Sequence, residues 1–379
     1  MLMMASAGFG LPQVAKHFPD SRPWQFLGAQ FAHSQWVGAT LWDLVQPSFM
    51  FIVGVSVAFS WGRRCAEGQA YSAMLAHAIY RSFALVLLGV MIQSQSTTPN
   101  NYVLTNVLSQ IGLGYLFLFL LCNRRPAWQA AAAVLILVGD WALFYSYPTP
   151  PPDFDYSTVG VPADWPHLQG IEAHWDKNTN VAAAVDRVVL NWFRRDSRFL
   201  YHGGGYATLN FVPSLGTMIF GLLAGGLLCG KRSPRQKLLA LCGAGFLCLG
   251  VGAAISALGV CPLVKRIWTP SWAVFSAGWS FLLLAAFYVV MDICGYRRAA
   301  WPLRILGMNS FAAYYLALTI CAADGQLARG LQKCLGPEVF TLFGLLDEAF
   351  APIARMTTLL AAVWIACAWL YQEKIFIKL

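Results

Sequence analysis

Charge is what this 379-residue chain has least of. Asp, Glu, Lys and Arg together make up 11% of it, against about 25% in an ordinary soluble domain. That shortage, beside 58% hydrophobic residues and a mean hydropathy of +0.55, excludes a soluble domain and reads as a polytopic membrane protein. No CxxC pair and no Cys/His cluster occurs among the ten cysteines, so neither a metal site nor a disulfide framework is expected. Most lie inside apolar runs (Cys242, Cys248, Cys294, Cys321, Cys367) or at their basic ends (Cys65, Cys122, Cys229), as small buried hydrophobes do. No internal repeat or inverted half is visible, which counts against many transporter architectures. Nor do the basic residues behind the net charge of +9 gather on one face, so no nucleic-acid partner is expected.

What the chain does have is long apolar runs. A spanning helix needs about 20 mostly apolar residues. The runs that qualify are Leu41–Trp61, Ala76–Gln93, Val103–Cys122, Trp128–Tyr145, Phe211–Leu228, Leu238–Leu258, Trp272–Cys294, Leu303–Ala322 and Thr357–Tyr371. Met1–Gly10 is apolar but short, lacks the marks of a signal peptide, and is expected to be the outer half of a first helix truncated at its N-terminus. The prediction is an all-α transmembrane bundle of about ten spans, one integral membrane domain over residues 1–379.

Basic clusters fall between these runs: Arg63-Arg64, Arg124-Arg125, Lys231-Arg232 with Arg235 and Lys237, and Arg297-Arg298 with Arg304. By the positive-inside rule they mark cytoplasmic loops, which puts both termini in the cytoplasm of a bacterial inner membrane. The 148–210 loop and short amphipathic helices in 324–355 then form an outer-side cap, the former including a helical-looking Val181–Phe193.

Within this frame several polar residues stand out. His33 precedes the helix that opens Trp42-Asp43-Leu44 and carries Pro47. A lone histidine at a membrane edge can be a simple interfacial anchor, but Asp43 stands ready to orient it, and neutral imidazole suits general-base work. Asp43 alone also fits a first-turn carboxylate favoured by the helix dipole. Asn106 and Gln110 are four apart and expected on one helix face, gluing helices or touching substrate. Asn210, Ser214 and Thr217 line one stripe, with Pro213 in the first turns of their helix. Lys265 and Arg266 sit on an outer loop where basic residues are depleted, pointing to an anionic or oxygen-rich group. Trp268 fits a sugar stack or an interface anchor, and Trp272 the latter. Asn309 and Ser310 interrupt an apolar run, where an amide needs a partner. Asp140 and Asp292 read as residues near span ends, where snorkelling or capping is enough to explain them, and Asp186-Arg187 as an interfacial ion pair.

These segments, in order, resemble a known family. FAHSQWVGATLWDLVQPSFMFIVGVS is similar to the signature of the heparan-α-glucosaminide N-acetyltransferase family and its bacterial relatives, and the likeness continues through NVLSQIGLGY, DRVVL, TLNFVPSLGTMIFGLLAG, KRIWTPSW, LGMNSFAAYY and YQEKIFIKL. The resemblance implies transfer of an acetyl group from cytoplasmic acetyl-coenzyme A to an amino sugar or glycan on the far side. It makes His33 the catalytic histidine and matches Asn309 to a Gly-x-Asn-Ser motif. Lys265, Trp268 and Ser271 match a Lys-x-x-Trp-(Thr/Ser)-x-Ser stretch. Where the family has an asparagine in its first helix, Ser6 stands nearest, and Gln110 stands where it has an arginine.

On this reading His33 is the base, Asp43 fixes its tautomer, and Asn309 or Ser6 donates to the oxyanion. Ser6, Asn106, Gln110, Asn210, Ser214, Lys265, Trp268, Ser271 and Ser310 are the candidate acceptor contacts. Arg81, Arg124 and Arg304 are the candidate holders of the coenzyme's phosphates. Transfer directly or through acetyl-histidine, and a second copy of the chain as partner, both stay open. The rival readings are a transporter or flippase of a glycan or small metabolite, and a non-catalytic scaffold.

Overall fold

The computed structural model describes residues 6–94, 102–193, 195, 197–320, 326–336, 338, 341 and 346–376. Among them the regular structure is helical, with one isolated antiparallel bridge between Val37 and Val264. In chain order the α-helices are α1 (Leu11–His17), α2 (Arg22–Gln30), α3 (Val45–Ala66), α4 (Tyr71–Ser94), α5 (Val107–Leu121), α6 (Pro126–Ser146) and α7 (Val181–Val189). They continue with α8 (Phe211–Cys229), α9 (Pro234–Ala257), α10 (Pro270–Tyr288), α11 (Trp301–Met308), α12 (Ser310–Ile320), α13 (Gln326–Leu335) and α14 (Ala351–Gln372). Counting the 3₁₀ and π turns that extend some of them, seven helices among the described residues are long and apolar enough to cross a membrane: Trp42–Ala66, Tyr71–Ser94, Pro126–Ser146, Thr208–Cys229, Pro234–Ala257, Pro270–Ile293 and Glu348–Gln372. The chain is an integral membrane protein of the all-α class.

Three predicted segments take another form. The expected Val103–Cys122 span is the shorter α5, because the Asn106 side chain accepts from the Leu108 amide at 2.8 Å and caps the helix there. Asn106 is therefore outside the helix whose face it was expected to share with Gln110. The expected Leu303–Ala322 span breaks at Asn309, which has φ −124° and ψ 41° between α11 and α12. Met1–Gly10 does not run on as one helix. From Ser6 it is a 3₁₀ turn in which Gly8, Phe9 and Gly10 all have positive φ, and Gly10 in the left-handed region opens α1. Residues 1–5 lie outside the described residues.

The chain divides into two compact units, one of residues 35–39 and 46–286, the other of residues 1–34, 40–45 and 287–379. In the larger, α8 is the central helix, with 61% of its apolar window buried against 17–33% for the other spans. Small residues let the backbones close up: Gly221 and Gly225 of α8 face the backbone of Phe51 and Val55 on α3, while Gly54 faces Met218 and Leu222. This Gly-x-x-x-Gly spacing is the usual solution where lipid gives no hydrophobic drive for helix association. Gly112 of α5 likewise sits on the Ser82–Val86 backbone of α4.

At one end of this unit Trp61 of α3 meets Tyr71 of α4 and Phe119 of α5 edge to face beside the basic turns. At the other end the 148–210 segment is not a slack loop. Trp36, Phe144, Val161, Trp165, Trp175 and Ile267 bury one apolar core, and the Trp36 indole donates to the Trp175 carbonyl at 3.1 Å. The helical part of that segment is α7 followed by a 3₁₀ turn, Leu190–Trp192.

In the smaller unit Ile305, Leu306 and Ala313 pack on Met356, Leu359 and Val363 of α14. Phe18, Trp24 and Phe350 form an aromatic triad with centroids 5.7–5.8 Å apart. The 324–355 stretch contains α13 and the 3₁₀ turn Glu348–Phe350, which runs into α14.

Candidate functional site

His33 lies in the turn after α2, and the 3₁₀ turn Trp42–Leu44 brings Asp43 back to it. The His33 Nδ1 is 2.7 Å from Asp43 Oδ1. The other carboxylate oxygen accepts from the Ser34 amide at 3.1 Å. The Thr40 hydroxyl stands 3.0 Å from that oxygen and 2.8 Å from the Ala32 carbonyl, so its one proton is shared between them. Asp43 is wholly buried while the His33 side chain is 43% exposed. A buried carboxylate that accepts from Nδ1–H fixes the neutral tautomer with its lone pair on Nε2, and stabilises the ring once Nε2 takes a proton. Ser34, Thr40 and the Ala32 carbonyl, all on the same short segment, support the pair. Pro47 falls early in α3, where its missing N–H leaves the helix unbroken.

The other predicted residues are distributed as follows. Asn309 is buried and its amide donates to the Ile375 carbonyl at 3.0 Å. Ser310 is exposed at the start of α12, and Ser6 opens the 3₁₀ turn before α1. Gln110 is fully buried; its amide nitrogen Nε2 donates to the Thr105 carbonyl at 3.1 Å, and its Oε1 has no partner among the described residues.

The α8 stripe and the 260–272 loop come together. Asn210 donates to the Arg266 carbonyl at 2.7 Å, and the Trp268 indole donates to Thr217 at 3.2 Å. Ser271 donates to the Pro262 carbonyl at 2.7 Å, Ser214 bonds back to the Phe211 carbonyl, and Lys265 is buried in the same loop. Trp268 and Trp272 are both in the core, so Trp272 is no interface anchor.

Among the basic residues, Arg124 and Arg304 are exposed. Arg81 is half-buried: it donates to the Tyr115 hydroxyl at 3.3 Å, lies 4.8 Å over that ring, and keeps a buried Nε with no partner among the described residues. It adjoins a pocket lined by Ser60, Trp61, Arg64, His77, Tyr115 and Phe119, at the end of α3, α4 and α5 that carries the basic turns.

Some readings are corrected. Asp140 does not cap or snorkel: it is buried in α6, and neither oxygen finds a hydrogen bond among the described residues. Asp186 and Arg187 do not pair. Asp186 accepts from the Thr208 amide and Arg187 donates to the Asn178 carbonyl. Burial pushes the Asp186 carboxyl up to about 6, against the pull of Thr208 and Arg195. Asp292 fits a span end, exposed and 3.7 Å from Arg297.

Sequence reasoning missed a second imidazole–carboxylate pair, His167 Nδ1 to Asp176 Oδ2 at 2.6 Å. Its spacing is as short as that of His33 and Asp43, but no helix start or motif marks it, and the Trp165 indole shares the Asp176 carboxylate. It also missed His202, in a His-Gly-Gly-Gly-Tyr turn whose three consecutive glycines were a legible mark of close backbone approach.

Residues 22–161 match the family described as "Heparan-alpha-glucosaminide N-acetyltransferase, catalytic", a stretch that contains both His33 and Asp43. The chain is 24% identical over 327 residues to a Mus musculus protein named heparan-alpha-glucosaminide N-acetyltransferase, covering 75% of this chain and 48% of that one. It is 23% identical over 399 aligned positions to the Homo sapiens protein of the same name, covering 92% and 56%. The chain thus spans about half the length of the curated relatives it matches. The motif resemblance and these matches point the same way: the chain is similar to the heparan-alpha-glucosaminide N-acetyltransferases, with the family match over residues 22–161.

Proposed function

We propose that the chain is a membrane acetyltransferase that takes its acetyl group from acetyl-coenzyme A on the cytoplasmic face. It delivers that group to the amine of a sugar on the opposite, extracytoplasmic face. The observation that carries the reading is the Asp43-held imidazole of His33 inside the stretch that matches the family. In the direct form of the reaction, the acceptor nitrogen attacks the thioester carbonyl as His33 Nε2 takes its proton. The new C–N bond forms, the C–S bond breaks, and the leaving thiolate is protonated by the imidazolium. Asp43 offsets the imidazolium charge during the step.

Arg64 and Arg81 at the basic end, with His77 beside them as a hydrogen-bonding group, suit the coenzyme's phosphates, because clustered cations form charge-assisted bonds to phosphate oxygens. The Arg81 Nε that has no partner among the described residues supports that assignment. The basic turns support a cytoplasmic position for this end, with the 148–210 segment on the acceptor side.

The test uses purified protein. It should bind acetyl-coenzyme A and transfer acetyl to a glucosamine acceptor. His33→Ala should abolish turnover while keeping donor binding, and Arg81→Met should raise the donor KM. Acceptor uptake without coenzyme, unchanged in His33→Ala, supports a transporter instead.

A further inference from the structure

The helix α7 is held at the level where two apolar helices begin, and it leaves an apolar face uncovered. Two contacts fix that level. Asp186, on its buried side, accepts from the Thr208 amide at 3.0 and 3.2 Å, and Thr208 opens the span Thr208–Cys229. Past the other end of α7, Phe193 stacks on Tyr102 with ring centroids 5.4 Å apart, and Arg195 donates to the Tyr102 carbonyl. Tyr102 stands just before the apolar helix α5, which starts at Val107. Gly114 of α5 packs on Leu215 and Met218 of α8, each about two turns from its helix start, so the two helices enter the membrane side by side. The α7 segment therefore lies against the membrane boundary at this end of the unit.

One side of α7 serves the fold: Val181, Ala182 and Asp186 are buried, and Val185 packs on the core of Trp36, Trp165 and Trp175. On the other side stands Val188 and, four residues on through the 3₁₀ turn Leu190–Trp192, the Trp192 indole, so the two share a face. Val188 is 56% exposed, and Trp192, at 75%, is more open than any other tryptophan among the described residues. A clamp returns a third apolar group to this turn. The Asn191 side-chain nitrogen donates to the Arg187 and Phe199 carbonyls at 2.7 and 3.0 Å, and its oxygen accepts from the Phe199 amide at 2.8 Å. The next residue, Leu200, is exposed, and so is Arg198 on the other side of Phe199.

Apolar groups gathered by a two-sided amide clamp are not scattered surface residues. An indole with aliphatic neighbours and an arginine at the edge is the composition of a segment that lies in a membrane interface. We propose that Val188, Trp192, Phe193 and Leu200 form a lipid-contact surface, by which the 148–210 segment dips into the boundary between headgroups and acyl chains, with Arg198 among the phosphates. The occupant is phospholipid because the face stands where α5 and α8 enter the bilayer, continuous with the lipid-covered surface of the spans. This attachment is additional to the spans and does not rest on the function proposed above.

The full-length protein is reconstituted into vesicles of phosphatidylcholine and phosphatidylglycerol that contain a phosphatidylcholine with a diazirine near its headgroup. After irradiation, lipid adducts are measured on tryptic peptides. Cleavage after Arg187 separates residues 178–187, the packed start of α7, from residues 188–194. The reference is the peptide of residues 238–265, which carries the exposed Leu239 and Leu258 near the two ends of α9. Residues 188–194 should take label at a level comparable to the reference, and residues 178–187 should take little. The double variant Trp192→Ser, Leu200→Ser should lose most of the 188–194 label and keep the reference label and the unfolding midpoint in detergent, as exposed substitutions do. Should that variant fail to fold, the wild-type contrast between the two α7 peptides decides alone. Wild-type protein that labels the reference but not residues 188–194 overturns the surface, as does a folded double variant whose label is unchanged. If the unlabelled wild type is also a larger particle by light scattering than the double variant, the face belongs to a second copy of the chain and the lipid assignment is wrong.

Discussion

Two imidazole–carboxylate pairs occur in this protein with nearly the same bond, 2.7 Å at His33–Asp43 and 2.6 Å at His167–Asp176, and they are built for different ends. At the first, the Ser34 amide and the Thr40 hydroxyl that meet the carboxylate lie on the same short segment as the ring, and the imidazole is 43% exposed over a wholly buried acid. At the second, the His167 ring is covered by Tyr156 with centroids 3.9 Å apart and is 26% exposed. Asp176 also accepts from the Trp165 indole at 3.2 Å and the Lys177 amide at 2.8 Å. The carboxylate there ties separate turns of the 148–210 segment together. A hydrogen-bonded His–Asp pair is therefore no signature of chemistry by itself. What separates them is whether the carboxylate serves the ring or the fold.

Removing each imidazole is the sharpest way to break the comparison. His33→Ala should cut acetyl transfer by about 10²- to 10⁴-fold, the usual worth of a positioned general base, a loss far beyond what any fall in the unfolding midpoint explains. Asp43→Asn should keep the loop but weaken the hold on the tautomer, lowering kcat roughly 10- to 100-fold as loss of an orienting partner does, with little change in KM. His167→Ala should do the reverse: it costs about 1–3 kcal/mol of stability by stripping a partner from a buried acid, seen as a lower midpoint, and leaves kcat within a few-fold. If His167→Ala loses turnover at an unchanged midpoint, the distinction between the pairs collapses.

The smallest effect concerns Asp186, a buried acid held by the Thr208 amide and by no imidazole. With its carboxyl raised to about 6, the folded protein keeps a proton that the unfolded chain gives up near pH 4. Its contribution to stability is therefore present at pH 4 and lost as pH rises through 6, by at most about 3 kcal/mol. Asp186→Asn should flatten the midpoint between pH 4 and 6 relative to wild type, and an unchanged slope would show that other groups set it.

Much of the fold was legible because lipid imposes one rule, that a span be long and apolar. The runs around α3, α4, α6, α8, α9, α10 and α14 announce themselves. The misreadings come where a single polar residue overrides hydropathy: Asn106 caps α5 early, and Asn309 breaks the run that holds α11 and α12. His33 and Asp43 were legible as a pair because a short turn can return ten residues along the chain. The shared face of Val188, Trp192 and Leu200 was not, since only the Asn191 clamp returns the chain at 199 to the turn at 191.

The central claim is that His33 takes the acceptor's proton. The most direct measurement is the single-turnover rate of acetyl transfer by His33→Gln, whose side-chain amide can still donate to Asp43 but cannot accept a proton. The account predicts a fall of about 10²-fold or more at an unchanged unfolding midpoint and unchanged acetyl-coenzyme A binding. A rate within about twofold of wild type, well short of the loss expected for a general base, would contradict it.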